Sequence, residues 1–189
     1  MCDVYSHQAY GLFSALAIGG CSISGVHLST LYNPSTYDHL NFSLYHAGRD
    51  TKVIVLGNPF AMASDDFAKA VTNPMQGANF GRPTNFTTTP GKSAERNLRV
   101  VMAFNAETDS DELCSGKVRV KPSAPTMRLQ AAWCFADRRD SLVEASINGA
   151  SGVNDPRFRA LIQETVLNLF PMHMDRILID DDGGDIRND

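Results

Sequence analysis

The chain has 189 residues, of which 43% are apolar and 20% are charged, and its formal net charge is −4. This length suits one domain with a sizeable core, and the composition is that of an ordinary globular protein. Six aspartates lie in the last 15 residues, so the rest of the chain is close to neutral. No broad basic surface is expected, which argues against nucleic-acid binding.

The first informative element is an apolar run at residues 9–18, followed by two glycines and Cys21. A membrane-spanning helix needs about 20 apolar residues, whereas the apolar core of a secretory signal has about 7–15 and ends in small residues. The run therefore predicts a signal peptide over residues 1–20. Residues 1–8 contain no Lys or Arg, although such signals begin with positive charge. We therefore expect a basic segment upstream of Met1.

The last residues of this run, Ile18, Gly19, Gly20 and Cys21, resemble the lipobox of bacterial lipoproteins. The resemblance implies that Cys21 becomes the first residue of the mature chain and carries a lipid, with acyl chains such as palmitate. The protein would then be anchored in the cell envelope and face the periplasm. The alternative is a buried N-terminal helix of a cytosolic domain, with Cys21 in the core. The glycines of this stretch disfavour a continuous helix.

The remaining chain divides into three parts. Residues 21–39 are rich in Ser, Thr and turn formers and predict a lipidated tether. Residues 40–172 predict a single domain. Residues 173–189, which contain Asp180, Asp181 and Asp182, predict an acidic disordered tail.

Within the predicted domain, residues 40–46 and 52–56 are expected to be strands joined by a turn. Ser64 precedes two aspartates and predicts the N-cap of a helix that ends before Pro74. Asp155, at an N-cap, and the following proline predict a second helix, whose apolar residues follow a 3.6-residue period. Further strands are expected at residues 82–89, 97–105, 118–121, 127–136 and 142–148, and a helical turn at 109–114.

Neighbouring strands with short connections favour antiparallel pairing. The pattern therefore predicts an α+β two-layer sandwich, with a mainly antiparallel sheet of about five to six strands and two amphipathic helices on one face.

The cysteines extend what the lipobox resemblance implies. Of the four cysteines, Cys2 would leave with the signal and Cys21 would carry the lipid. Cys114 and Cys134 would remain in an oxidising compartment, where such a pair is expected to form a disulfide. The alternative is a pair of buried free thiols.

One loop is a candidate for ligand binding. Gly57, Asn58, Pro59 and Phe60 follow a predicted strand and lead towards a helix. Asn58 and Phe60 are the candidate ligand-facing residues, and the alternative is a plain connector between strand and helix. Residues 91–93 spell Gly-Lys-Ser but lack the earlier glycine of a phosphate-binding loop. The histidines show no metal-ligand spacing. We expect no cofactor, no metal and no catalytic group.

The strand before Asn58 and the helix that begins at Asp155 and ends near Pro171 also look similar to small proteobacterial envelope lipoproteins that carry no assigned activity. The sequence therefore predicts a lipid-anchored cell-envelope protein that acts as a binding or structural module. Its expected partners are membrane lipid, through the anchor, and another envelope protein. Two alternatives stay open: a periplasmic enzyme of unknown reaction, and a cytosolic domain whose N-terminus has been misinterpreted.

Overall fold

The computed structural model describes residues 25–32, 37–121 and 124–172. The predicted signal peptide, the predicted lipidation site at Cys21 and the predicted acidic tail lie outside these residues. Within the described ranges, no helix is both long enough and apolar enough to cross a bilayer.

The described residues form six strands, three α-helices and one 3-10 helix. The strands are β1 (His27–Tyr32), β2 (Asp50–Leu56), β3 (Asn85–Thr87), β4 (Leu98–Phe104), β5 (Thr126–Phe135) and β6 (Arg138–Asn148). The α-helices are α1 (His39–His46), α2 (Ser64–Met75) and α3 (Pro156–Leu169), and the 3-10 helix is Ser110–Ser115. The strands make one sheet in the order β1-β6-β5-β4-β2-β3. The α+β class predicted from the sequence is confirmed.

The sheet is mixed, which corrects the expectation of a mainly antiparallel one. β2 runs parallel to both β3 and β4, while the β4–β5, β5–β6 and β6–β1 pairs are antiparallel. The reason lies in the connection after β2, because α2 carries the chain back across the sheet before the next strand begins. A crossover of that length returns the chain in the same direction and produces parallel pairing.

The segment 40–46 was expected to be a strand but forms most of α1. The carboxylate of Asp38 accepts a hydrogen bond of 2.8 Å from the Leu40 N–H, as an N-cap does. Phe42 and His46, four residues apart, are the buried residues of this helix. That spacing places both on one helical face, and Phe42 belongs to the core cluster.

The folded domain begins earlier than residue 40. β1 lies within the predicted tether, yet it pairs along its whole length with β6, from His27 opposite Ser146 to Tyr32 opposite Ser141. Residues 27–32 therefore belong to the sheet.

All three α-helices pack on one face of the sheet, where two were expected. Phe42 of α1, Phe67 of α2 and Phe158 of α3 join one core cluster with the sheet residues Val100 and Trp133. Trp133 is only 2% exposed. The aromatic rings of this face form a continuous packed layer, with centroids 4.0 Å apart between Phe42 and Phe170.

The opposite face carries a smaller cluster. Val101 and Ala103 of β4, Ala132 of β5 and Leu142 of β6 contribute side chains from the sheet. The 3-10 helix covers them with Leu113 and Cys114. We call this side the open face, because the 3-10 helix covers only part of it.

Candidate functional site

The predicted binding loop at residues 57–60 is held together by its own polar groups. The side-chain amide of Asn58 donates to the Met62 carbonyl at 2.7 Å, and its oxygen accepts from the Phe60 N–H at 3.2 Å. Gly57 has φ +77°, and a Cβ at this position would collide with the carbonyl oxygen of Phe104. The glycine is therefore required by backbone conformation and by close packing.

The Phe60 ring of this loop faces inward. Its centroid lies 5.3 Å from that of Phe158 and 6.2 Å from that of Phe67, in edge-to-face geometry. Asn58 and Phe60 thus organise the connection between β2 and α2. A ligand contact by these two residues stays a prediction.

The predicted pair Cys114 and Cys134 forms a disulfide, with the two Cα atoms 5.6 Å apart. This bond ties the 3-10 helix to β5. Two further contacts fix the same helix: Arg139 makes an ion pair with Asp111, and the Arg99 guanidinium donates to the Cys114 carbonyl. The 3-10 helix is therefore a firmly held cover over one half of the open face.

A groove lies on the other half of the open face. A cavity of about 310 Å³ is lined there by Arg128, Gln130, Glu144 and Ser146, among others. Gln130 lies directly opposite Glu144, and Arg128 directly opposite Ser146, in the β5–β6 register. Directly opposed residues of an antiparallel pair point to the same face. A second cavity, lined by Asn105, shares Arg128 and Gln130 with the first, so the two form one groove.

Two buried polar atoms in the groove lining have no hydrogen-bond partner within the described residues. Gln130 donates from Nε2 to the Glu144 carboxylate at 3.0 Å, which leaves its Oε1 unpartnered. Asn105 accepts at Oδ1 from the Arg128 N–H at 3.0 Å, which leaves its Nδ2 unpartnered. Buried polar groups are normally satisfied. These two atoms make the groove the candidate site for a polar ligand.

The groove also carries charge of both signs. Arg128 and Glu144 are exposed, and neither is in an ion pair with any residue that the structure describes. At the far end, Lys121 pairs with Glu107 at 2.6 Å. The arrangement suits a ligand that presents donors, acceptors and both charges, as a peptide segment does.

No local sequence pattern predicts this site, because its residues come from three strands and a turn. One signal was available: Arg128 and Gln130 alternate with Met127 and Leu129 in the β5 sequence, which predicts one polar face on an otherwise apolar strand.

A second polar arrangement lies between α1 and the sheet and is fully buried. The Trp133 indole donates to His46 Nε2 at 3.2 Å, and His46 Nδ1 lies 2.7 Å from the Thr51 hydroxyl. The hydroxyls of Thr51 and Thr84 are hydrogen-bonded at 2.6 Å, and the Thr84 hydroxyl donates to the Arg49 carbonyl at 2.8 Å. Because an indole N–H can only donate, His46 Nε2 must be unprotonated.

Burial, together with the nearby positive charge of Arg49, lowers the pKa of His46 from 6.5 to about 4. The imidazole is therefore neutral at physiological pH and acts as a link in a one-way chain of hydrogen bonds. Since His46 is buried, we infer that this series of hydrogen bonds holds α1 against the sheet.

Comparison with known proteins gives little further guidance. Neither a protein-family model nor a curated protein sequence matches the chain. The solved structures that are similar include the PelC dodecamer from Paraburkholderia phytofirmans and a single-residue variant of it. Each shares 10% sequence identity, with TM-scores of 0.44 and 0.43. The matches cover 78% and 76% of this chain and 99% and 96% of those chains. Similarity this low carries no argument about function.

Proposed function

We propose that this protein is a lipid-anchored cell-envelope protein that acts as a binding module, with the groove on the open face as its ligand site. The observation that carries the proposal is the disulfide between Cys114 and Cys134. Disulfides persist in oxidising compartments and are rare in the cytosol of mesophiles. The bond therefore favours an exported chain over a cytosolic domain.

The anchor is proposed at Cys21, on the basis of the lipobox resemblance. Cys21 precedes the first residue of β1, His27, by six residues. A fully extended chain of that length spans at most about 20 Å. A lipid on Cys21 would therefore hold the domain close to the bilayer.

The groove is proposed to receive a polar segment of a partner protein in the envelope. A peptide amide offers a carbonyl to the unpartnered Asn105 Nδ2 and an N–H to the unpartnered Gln130 Oε1. Both atoms are buried, so binding requires small side-chain movements at the groove floor. Arg128 and Glu144 supply opposite charges at its rim, which favour correct register more than affinity.

The anchor is tested by mass spectrometry of the protein expressed in a bacterial host with its native upstream sequence. We expect a mature N-terminus at Cys21 that carries acyl mass, in the membrane fraction. Cys21→Ser should abolish the acyl mass, and Cys2→Ser is the matched control that should leave it unchanged. An unprocessed, unmodified N-terminus in the soluble fraction would refute the anchor.

The groove is tested by placing a photo-crosslinking amino acid at Ser146 in the same cells, with Lys69 on α2 as the control position. We expect a discrete adduct from Ser146 only, weakened by Arg128→Ala with Gln130→Ala. Equal crosslinking from both positions would refute a role for the groove.

A further inference from the structure

The groove on the open face lies at one end of the sheet. His27, the first residue of β1, lies opposite Ser146, and Ser146 lies opposite Arg128. The Arg128 N–H donates to Oδ1 of Asn105, the residue directly after β4, at 3.0 Å. These four residues form a row across β1, β6, β5 and the end of β4, and each of them lines a cavity of the groove. We call them the groove row.

The groove row has the length of a short peptide segment. Neighbouring strands lie about 4.8 Å apart, so the row spans about 14 Å from His27 to Asn105. An extended chain covers about 3.4 Å per residue, so the row accommodates about four residues of a partner. Each partner in a stable complex contributes roughly 20–30 residues. The groove alone therefore binds only weakly to a partner that reaches it by free diffusion.

The chain enters the domain at this end, from the predicted lipid anchor. Cys21 precedes His27 by six residues, which span at most about 20 Å when extended. The other end of the sheet is farther away, because Arg138, which begins β6, is eight residues from Ser146 along the strand, or about 27 Å. A lipid on Cys21 would therefore keep the groove, and not the turn between β5 and β6, next to the bilayer.

We propose that the groove receives the membrane-proximal segment of a protein embedded in the same bilayer, a polar stretch within about 20 Å of the lipid surface. This inference rests on the proposed function, because it uses both the anchor at Cys21 and the groove as the ligand site. Confinement of both proteins to one membrane raises their effective concentration, which compensates for a short contact. Arg128 and Glu144 both line the groove, so a segment that carries both signs of charge fits better than an anionic one.

A lipid headgroup fits the groove less well than a peptide does. A zwitterionic headgroup carries its two charges only a few bonds apart, whereas the groove row is about 14 Å long. A peptide repeats one donor and one acceptor at every residue along such a length. It can therefore reach both the unpartnered Asn105 Nδ2 and the unpartnered Gln130 Oε1.

The test lengthens the tether and follows the crosslink from the groove. The full chain, with its native upstream sequence, carries the photo-crosslinking amino acid at Ser146, and a spacer of about 20 Gly and Ser residues is inserted between Ser24 and Gly25. The adduct should fall by up to about ninefold, because effective concentration decreases with the −3/2 power of tether length. The same spacer inserted after Met172 is the matched control and should leave the adduct unchanged.

Mass spectrometry of the adduct identifies the segment of the partner. We expect a peptide within about eight residues of a membrane-spanning segment, because Ser146 adjoins His27. Acylation at Cys21 and the amount of each variant in the membrane fraction are measured in parallel, so that a weaker adduct is not mistaken for a loss of protein.

An adduct that the spacer before Gly25 leaves unchanged would overturn this inference, and so would an adduct with a soluble periplasmic protein. In both cases acylation at Cys21 and crosslinking from Ser146 persist, so the proposed function stands. An adduct with lipid, the absence of any adduct from Ser146, or the absence of an acyl group on Cys21 would refute the proposed function, and this inference with it.

Discussion

The two faces of the sheet differ in how they are covered and in how fully their buried polar groups are hydrogen-bonded. The helix-covered face is closed by three α-helices over a layer of packed aromatic rings, and its buried His46 is bonded at both ring nitrogens. The open face has a small cluster under a 3-10 helix and, beside it, a groove whose lining leaves Asn105 and Gln130 partly unpartnered among the described residues. The larger buried apolar cluster therefore lies on the helix-covered face, and the groove lies on the face with the smaller cluster.

The largest expected effect is on the helix-covered face. Phe158→Ala removes a fully buried ring that contacts the rings of Phe60, Phe67 and Phe104. The free energy of unfolding in urea should fall by about 3–5 kcal/mol. Leu167→Ala on the exposed side of the same helix should change it by no more than about 0.5 kcal/mol. A small effect of Phe158→Ala would mean that this face is not the main source of stability.

On the open face, the disulfide is the principal constraint. Replacing Cys114 and Cys134 together by Ser releases a loop closed over a sequence separation of 20, which should lower the free energy of unfolding by about 3 kcal/mol. Amide hydrogen exchange should increase mainly in the 3-10 helix and not in α3. Uniform acceleration across both faces would show that the two faces do not unfold independently.

Acid should weaken the helix-covered face through His46. Its pKa is about 4 in the folded chain and about 6.5 in the unfolded chain. Between these values the unfolded chain binds more protons, so stability is complete above pH 6.5 and falls as the pH drops to 4. The loss should approach about 3 kcal/mol, because 2.5 pKa units are involved.

The measurement for His46 is urea unfolding at a series of pH values. His46→Gln removes the titration and should flatten the curve between pH 6.5 and 4, leaving only the fall caused by carboxylates such as Asp50 at lower pH, since hydrogen bonds from Asn85 and Gly91 lower its pKa. An unchanged slope in this variant would assign the pH dependence to other groups.

The smallest effect on stability is expected in the groove. Gln130→Ala removes a side chain that donates a hydrogen bond to the exposed Glu144 carboxylate and whose oxygen has no partner among the described residues. The free energy of unfolding should change by less than about 1 kcal/mol, while crosslinking from Ser146 should fall. A large destabilisation would show that Gln130 serves the fold.

Much of the fold follows from local sequence signals. The N-cap at Asp155 with Pro156 located α3, Asp109 located the 3-10 helix, and the apolar runs located β4 and β5. The strand predicted at residues 40–46 was wrong, because a short apolar stretch fits the period of a helix as well as that of a strand. The helix that forms there is capped by Asp38. The parallel pairing of β2 depends on where α2 carries the chain, which no local pattern encodes.

The candidate site was less accessible to prediction. Asn58 and Phe60 were predicted to face a ligand because a Gly-Asn-Pro turn is unusual in sequence. In the structure their side chains stabilise the connection between β2 and α2. The groove residues are ordinary one by one. Gln130 and Glu144 become distinctive only when the β5–β6 register brings them together, beside the Asn105 side chain that accepts from the Arg128 N–H. The pairing of Cys114 with Cys134, which the structure contains, was predicted only because the lipobox resemblance sets Cys2 and Cys21 aside.

The position of Trp133 has a practical consequence. It is the one tryptophan of the chain, and its ring lies edge-on to Phe42 and His46, both in α1. Its intrinsic fluorescence therefore reports, without any label, whether α1 is packed against the sheet. Protonated imidazole quenches a neighbouring indole, so one emission signal would record both acidification and the displacement of α1 from the sheet.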